Sequence, residues 1–138
     1  MGDIVRNTLK KKERLSSESS LSRLFANGHY GTSDCIRYCF RAENSLSYNR
    51  IVVSVPKRFF KRAVKRNLMK RRIREAYRIG KMLLPVDTEK GGTDILFIYN
   101  TKEIMDATSV DNAVKTALIN IADRIAQAKA SSVNESES

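Results

Sequence analysis

The sequence contains no long apolar run, and this absence excludes several classes of protein at once. No stretch of about 18 consecutive apolar residues occurs, so we expect no transmembrane helix. The N-terminal segment also lacks the apolar core of a secretory signal. We therefore expect a cytoplasmic protein with no membrane partner.

Cysteine and histidine, the usual ligands of zinc, are nearly absent. The two cysteines, Cys35 and Cys39, lie in an alternating stretch that predicts a strand, which would separate them by about 13 Å. This distance is too long for a disulfide. Two thiols and the single histidine, His29, cannot complete a four-ligand zinc site. We expect reduced thiols, buried or half-buried, and no metal site.

Motifs for catalysis are missing as well. The sequence contains no P-loop, no glycine-rich dinucleotide fingerprint, no zinc-protease helix and no nucleophile elbow. His29 lies in a predicted loop with no partner pattern around it. The acidic residues are scattered singly, which argues against a two-metal nuclease centre. We predict no catalytic residue in this chain.

Positive charge, in contrast, is abundant and concentrated. The 138 residues include 26 Lys and Arg against 15 Asp and Glu, for a net charge of +11 and a pI near 10.0. Twelve basic residues and a single acid, Glu75, lie between Lys57 and Lys81, whereas the rest of the chain is electrically balanced. Solvated helix faces mix both signs, so we interpret this segment as a surface for a polyanion, most simply nucleic acid. A smaller basic cluster near the start contains Lys10, Lys11, Lys12 and Arg14.

Apolar periodicity and turn residues predict an α/β two-layer sandwich around a small central sheet. Helices are predicted at about 16–27, 61–81 and 109–129. Strands are predicted at 35–41, 50–55 and 94–99, and the last is apolar throughout and should be covered on both faces. We expect a single RNA-binding domain at 16–129, a basic, partly disordered arm at 1–15 and a disordered Ser/Glu-rich tail at 130–138.

The first and last helices are predicted from particular residues. The first ends at Gly28 and carries Leu21, Leu24 and Phe25 on one face. The last begins with a capping box formed by Thr108 and Asp111. Its core stripe consists of Val114, Ala117, Leu118, Ile121 and Ile125.

The long basic helix has two different faces. Its core face consists of Met69, Ile73, Ala76, Tyr77 and Gly80. Its other face carries a row about 16 Å long, formed by Asn67, Lys70, Arg71, Arg74 and Arg78. Arginine grips a phosphate with two N–H groups and stacks on unpaired bases, so we expect this row to bind RNA. For Asn67, a contact with RNA and a local backbone hydrogen bond are equally open.

The segment from Lys57 to Arg78 resembles the signature segment of the protein subunit of bacterial ribonuclease P. That family carries a Lys-Lys pair after its central strand, then Ala-x-x-Arg-Asn-Arg-x-Lys-Arg-x-x-Arg-Glu on the following helix. The matching residues here are Lys57, Arg58, Ala63, Arg66, Asn67, Lys70, Arg71, Arg74 and Glu75. Element order and spacing agree over about residues 10–128. Leu68 replaces the second arginine of the pattern, a loss that Arg72 is expected to offset.

The resemblance implies a left-handed βαβ crossover, as in the fold of the second domain of ribosomal protein S5. It also implies a function as the non-catalytic protein subunit of an endoribonuclease. In that family a catalytic RNA subunit, with Mg²⁺, removes the 5′ leader from precursor tRNA. The expected partners are therefore the RNA subunit and the precursor tRNA leader, with Mg²⁺ held mainly by the RNA and no DNA partner.

The resemblance and the charge pattern together assign two sets of site residues. The RNA-binding set contains Lys57, Arg58, Arg62, Arg66, Asn67, Lys70, Arg71, Arg74 and Arg78. The leader-binding set contains Phe25, Tyr38 and Lys57. Tyr38 and Cys39 are alternatives for the strand position in this set, depending on register. Leu21 stands where a second helical aromatic is common in the family.

Two other nucleic-acid-binding functions are open as alternatives. A ribosomal or other structural RNA-binding protein would share the basic helix but would need no leader cleft. A DNA-binding module would place the helix in a major groove. It should then carry exposed base-reading residues between its basic residues, and Asn67 is the one residue that qualifies. Most aromatic side chains near the basic segment are expected in the core rather than on a stacking surface.

Overall fold

The computed structural model describes residues 13–14, 18–87 and 89–137, with side chains for residues 13–14, 21–87 and 89–129. Most of the predicted arm at 1–15 therefore lies outside the described residues. The elements are α1 (Glu18–Asn27), β1 (His29–Ser33), β2 (Ile36–Arg41), β3 (Arg50–Ser54), α2 (Ala63–Gly80), a 3₁₀ turn (Lys81–Leu83), β4 (Asp94–Tyr99) and α3 (Ala107–Glu137). Within the described parts of the chain, no helix is both long and apolar enough to cross a membrane.

The four strands form one mixed sheet in the order β1-β2-β4-β3. The β1–β2 and β2–β4 pairs are antiparallel, whereas β3 and β4 are parallel. Because parallel neighbours cannot be joined by a tight turn, α2 forms the crossover of a β3–α2–β4 unit. The predicted α/β class and βαβ connection are confirmed, and the left hand of the crossover stays a prediction.

The larger core lies between one face of the sheet and the two long helices. Tyr77 of α2 packs on Phe97 of β4, with 6.2 Å between the ring centroids. The predicted core stripe of α2 is confirmed, since its buried residues are Met69, Ile73, Ala76, Tyr77 and Gly80. The opposite face of this helix is therefore left to solvent.

A smaller core lies on the other face of the sheet, under α1. It consists of Leu24, Cys39 and Leu96, with partly buried neighbours around it. The strand β4 is thus covered on both faces, as predicted, because Ile95 and Phe97 point into the larger core. Helix α1 adds a partial third layer to the predicted two-layer sandwich.

The strand β1 lies where the sequence predicts a loop. Its side chains are mostly exposed, and it forms an edge of the sheet. A two-residue turn at Asp34 and Cys35 joins it to β2, and Asp34 takes the left-handed φ of 48°. Pairing with β2, rather than the local composition of the segment, therefore determines this strand.

Helix α3 begins and ends at residues other than those predicted. Its N-cap is Asp106, whose carboxylate accepts a hydrogen bond of 2.8 Å from the Ser109 N–H. The predicted capping box at Thr108 and Asp111 is therefore wrong, and the bond from Ser109 lowers the pKa of Asp106. The helix continues to Glu137, through the stretch predicted as a disordered tail, because that stretch contains no glycine or proline.

Both cysteines are free and buried, as predicted. Cys35 packs in the larger core and Cys39 in the smaller one, so the two thiols contact different layers of the fold. Burial raises the pKa of each thiol and keeps it protonated.

Candidate nucleic-acid interface

The solvent face of α2 carries the predicted row of polar and cationic side chains. We call this set the α2 row, and it consists of Asn67, Lys70, Arg71, Arg74 and Arg78. Helical spacing confines the five side chains to about 100° of the circumference. All of them are partly or fully exposed, while the buried stripe fixes the other side of the helix to the sheet.

Acidic groups neutralise little of the α2 row. Arg78 Nε donates to Glu75 Oε2 at 3.0 Å, and this bond lowers the pKa of Glu75 and keeps it ionised. Lys70, Arg71 and Arg74 form no ion pair with any residue that the structure describes. These three side chains therefore have their charges available for phosphates.

The N-terminus of α2 adds partial positive charge beside the row. Arg62 is the N-cap, but no side chain caps the helix and no acid lies in its first turn. The first N–H groups therefore keep the positive end of the helix dipole uncompensated by a side chain. Lys57, Arg58 and Lys61 lie exposed in the segment that precedes the helix.

Two arginines of α2 donate to protein carbonyls. Arg66 Nη1 donates to the carbonyl oxygens of Phe60 and Lys61, at 2.8 Å each. Arg72 Nη1 donates to the carbonyl of Met105 and so holds the loop that precedes α3. This bond directs Arg72 at the protein and argues against the expectation that it replaces the missing cation of the signature.

A second candidate surface is the sheet face on which α1 packs, which we call the cleft face. Strand register places two rows of side chains across it. The first row is Tyr30, Cys39, Leu96 and Val52, and the second is Thr32, Arg37, Ile98 and Ser54. Leu24 of α1 covers the middle of the first row, whereas Val52 and Ile98 are only partly buried beside it. Helix α1 therefore leaves part of this face accessible.

Two exposed aromatic side chains belong to the elements that border the cleft face. Phe25, on α1, is 54% exposed, and Tyr30, on β1, is 44% exposed. The guanidinium of Arg37 lies 5.2 Å from the centroid of the Tyr30 ring. The Cys39 thiol donates to the carbonyl of Leu24 at 3.5 Å and, as a neighbour of Tyr30, raises the pKa of that hydroxyl. The tyrosine thus sits at the junction of α1 and the sheet.

Tyr38 does not lie on the cleft face, and its burial contradicts its predicted contact with the leader. It is 3% exposed, and its side chain packs over Gly31 in the larger core. Side chains alternate along β2, so Cys39 faces α1 and Tyr38 faces the long helices. Tyr30 brings a ring to this face instead, and the sequence did not indicate its role because β1 was not predicted.

The other aromatic residues near the basic segment and the single histidine have structural rather than binding contacts. Phe40 and Phe60 are buried in the larger core, as most of these aromatics were expected to be. His29 lies in β1 rather than in a loop, with its ring 5.5 Å from that of Phe40. In the described ranges, no group of three or more His, Cys, Asp and Glu side chains could hold a metal ion.

The structure combines a four-stranded α/β fold, a largely unneutralised basic helix and two exposed aromatic side chains near the opposite sheet face. These features together are typical of an RNA-binding protein. Comparison with known sequences identifies the family. The Ribonuclease P family matches residues 9–122. The ribonuclease P protein component of Porphyromonas gingivalis is 35% identical over 121 residues, covering 85% of this chain and 88% of that protein. The corresponding protein of Petrotoga mobilis is 38% identical over 91 residues, covering 66% and 71%.

Solved structures agree with this relationship. The ribonuclease P protein from Thermotoga maritima has a TM-score of 0.66 and 27% identity, covering 78% of this chain and 96% of that one. The protein from Staphylococcus aureus shares the fold with a TM-score of 0.65 at 23% identity, covering 80% and 94%. The chain therefore belongs to the ribonuclease P protein family, as a protein subunit that acts in tRNA processing with an RNA partner.

Proposed function

We propose that α2 binds the RNA subunit of ribonuclease P and that the cleft face binds the 5′ leader of precursor tRNA. The observation that carries the first part is the α2 row, in which three cations have no acidic partner among the described residues. The uncapped helix N-terminus extends the same surface. The proposed RNA contacts are Lys57, Arg58, Arg62, Asn67, Lys70, Arg71, Arg74 and Arg78.

The proposed leader site rests on the two exposed rings of the cleft face. A leader is single-stranded, so its bases are free to stack on Phe25 and Tyr30. Arg37 supplies a cation beside the second ring. Lys57 follows β3 at the end of the sheet where Ser54 closes the second row, and it is suited to a leader phosphate.

We place the hydrolytic chemistry in the RNA subunit, with Mg²⁺ held mainly by RNA. The donor set of the described chain supports this division, because its carboxylates are not grouped for a divalent cation. The contribution of the protein is then electrostatic: its cations offset phosphate repulsion between two RNA molecules and lower the Mg²⁺ that they need. The unpaired thiols support a cytoplasmic setting.

Cleavage of precursor tRNA at limiting Mg²⁺ tests the proposed function. The RNA subunit of the same organism is assayed with and without the protein, and the protein is assayed alone. We expect acceleration by the protein in the presence of the RNA subunit only. Tight, salt-sensitive RNA binding without acceleration would instead favour a structural RNA-binding protein, and cleavage by the protein alone would overturn the division of chemistry.

Leader binding has a separate test. The holoenzyme affinity is measured for precursor tRNA with its leader and for tRNA without it, and the ratio is the leader preference. We expect Phe25→Ala and Lys57→Ala to lower this ratio. The charge-matched control is Lys90→Ala, a lysine at the other end of the sheet whose partner is Glu43 at 3.6 Å. Equal losses for both RNAs would count against the leader site.

A further inference from the structure

Arg66 differs from the α2 row in what its guanidinium contacts. It lies in the first turns of α2 and is partly buried, and both hydrogen bonds of its Nη1 go to backbone carbonyls outside the helix. Arg71, on the same helix, is exposed and has no ion pair among the described residues. Arg66 is therefore directed at the protein, whereas Arg71 is directed at solvent.

The two carbonyls belong to the segment 57–62, which links β3 to α2 and carries four of the exposed cations. Other contacts hold this segment to the core, where Phe60 is buried and Phe59 is partly buried. The Phe59 N–H donates to the Pro56 carbonyl at 3.2 Å, and the Phe60 ring packs 5.9 Å from that of Tyr99. The N-cap side chain gives no hydrogen bond to the helix. The guanidinium of Arg66 thus ties the backbone of this segment to α2.

We infer that Arg66 is a positioning residue: it fixes the segment 57–62 so that Lys57 meets the leader, rather than contacting an RNA phosphate itself. The inference rests on the proposed function, because it needs Lys57 to act on the leader. A planar guanidinium suits this task, since one nitrogen holds two consecutive carbonyls in a fixed geometry. Both N–H groups of Nη1 are occupied by these carbonyls, so this part of the guanidinium is held against the protein and is not available to a phosphate.

The salt dependence of binding to the RNA subunit separates the two roles. Each phosphate contact that is lost flattens the slope of log K against log salt by roughly 0.7 to 0.9. We expect Arg71→Met to flatten the slope by this amount. Arg66→Met should leave it unchanged, because the cations of the segment 57–62 stay on the chain and still neutralise phosphates when the segment is less firmly held. The same flattening in both variants would overturn the inference.

The leader preference then tests whether Arg66 acts through Lys57. We expect Arg66→Met to lower the preference by roughly tenfold, the order of one charge-assisted hydrogen bond. In the Lys57→Ala background the same substitution should add little, because the group that it positions is already gone. Independent, multiplying losses would contradict the inference.

Two further variants guard against a simple loss of folding. Arg72→Met removes a similar carbonyl bond on another side of α2, and it should change neither the salt slope nor the leader preference. If Arg66→Met does not fold cooperatively, Arg66→Lys keeps the charge but loses the planar fork. Because this variant loses no charge, its readout is the leader preference: a lowered preference supports positioning, and an unchanged preference overturns it. A wild-type protein without any leader preference would refute the proposed leader site itself, which is a different outcome.

Discussion

The α2 row and the cleft face are both proposed to bind RNA, but they are assembled differently. All five members of the α2 row come from one helix, and helical spacing alone aligns them. The cleft face takes Tyr30, Arg37 and Val52 from three strands, and sheet register decides which of their neighbours share that face. The row is therefore a sum of similar contacts, whereas the cleft face depends on the placement of each side chain.

This difference affects how the two surfaces tolerate change. A sum of phosphate contacts loses affinity in steps, because each of its cations contributes separately. A stacking site has no such reserve, because the proposed leader site rests on two exposed rings, those of Phe25 and Tyr30. We expect substitutions in the row to change affinity for every RNA, and substitutions in the cleft face to change discrimination between RNAs.

The largest effect is expected from the double substitution Arg71→Ala/Arg74→Ala. Removing two unpaired cations should lower affinity for the RNA subunit by about 100-fold at low salt, since each charge-assisted contact contributes about 1.5 kcal/mol or more. Filter binding across a salt series measures this loss. The leader preference of the residual complex should stay at its wild-type value. A fall in that preference would mean that the two surfaces are not separable.

The next effect distinguishes two tyrosines. Tyr30→Leu should lower the leader preference by about tenfold, because stacking contributes about 1–3 kcal/mol per base, and should leave affinity for the RNA subunit unchanged. Tyr38→Leu should instead lower the free energy of unfolding by about 2 kcal/mol, measured in urea, because Tyr38 is buried. A loss of leader preference in Tyr38→Leu alone would contradict the register of β2.

The two surfaces also differ in how well they can be predicted from the sequence. The phase of α2 was predictable because both of its faces repeat with the helical period, from Met69 to Gly80 and from Asn67 to Arg78. The cleft face was not predictable in this way. Whether Tyr38 or Cys39 faces α1 depends on where β2 begins, and a shift of one residue exchanges the two faces.

Two other features could not be predicted from the sequence for a related reason: the strand β1 and the protein contacts of Arg66 and Arg72. His29–Ser33 has no strand-like alternation and pairs only because β2 lies beside it. Arg66 and Arg72 are indistinguishable from Arg71 by composition, and the carbonyls that they bind belong to irregular segments. Only the tertiary fold decides which arginine faces solvent and which faces the protein.

A smaller effect is expected at the junction of α1 and the sheet. Cys39→Ala removes the thiol that donates to the Leu24 carbonyl, and it should lower the free energy of unfolding by about 1 kcal/mol. The leader preference should fall by about two- to threefold, since α1 and Tyr30 both contact this position. Cys35→Ala is the matched control, because that thiol lies in the larger core. Equal leader preferences in the two variants would show that α1 is not part of the leader site.

The smallest effect is expected from Glu75→Gln, within the basic helix itself. Arg78 lowers the pKa of Glu75, so the carboxylate is ionised wherever RNA binding is measured and draws charge away from the row. Its neutralisation should raise affinity for the RNA subunit by about twofold, the range of a surface ion pair, and less at high salt. Asp111→Asn is the control, because its pair with Lys115 at 2.9 Å lies on α3. Weaker binding in Glu75→Gln would mean that the pair orients Arg78 for a defined contact, and placement as well as charge would then matter in the α2 row.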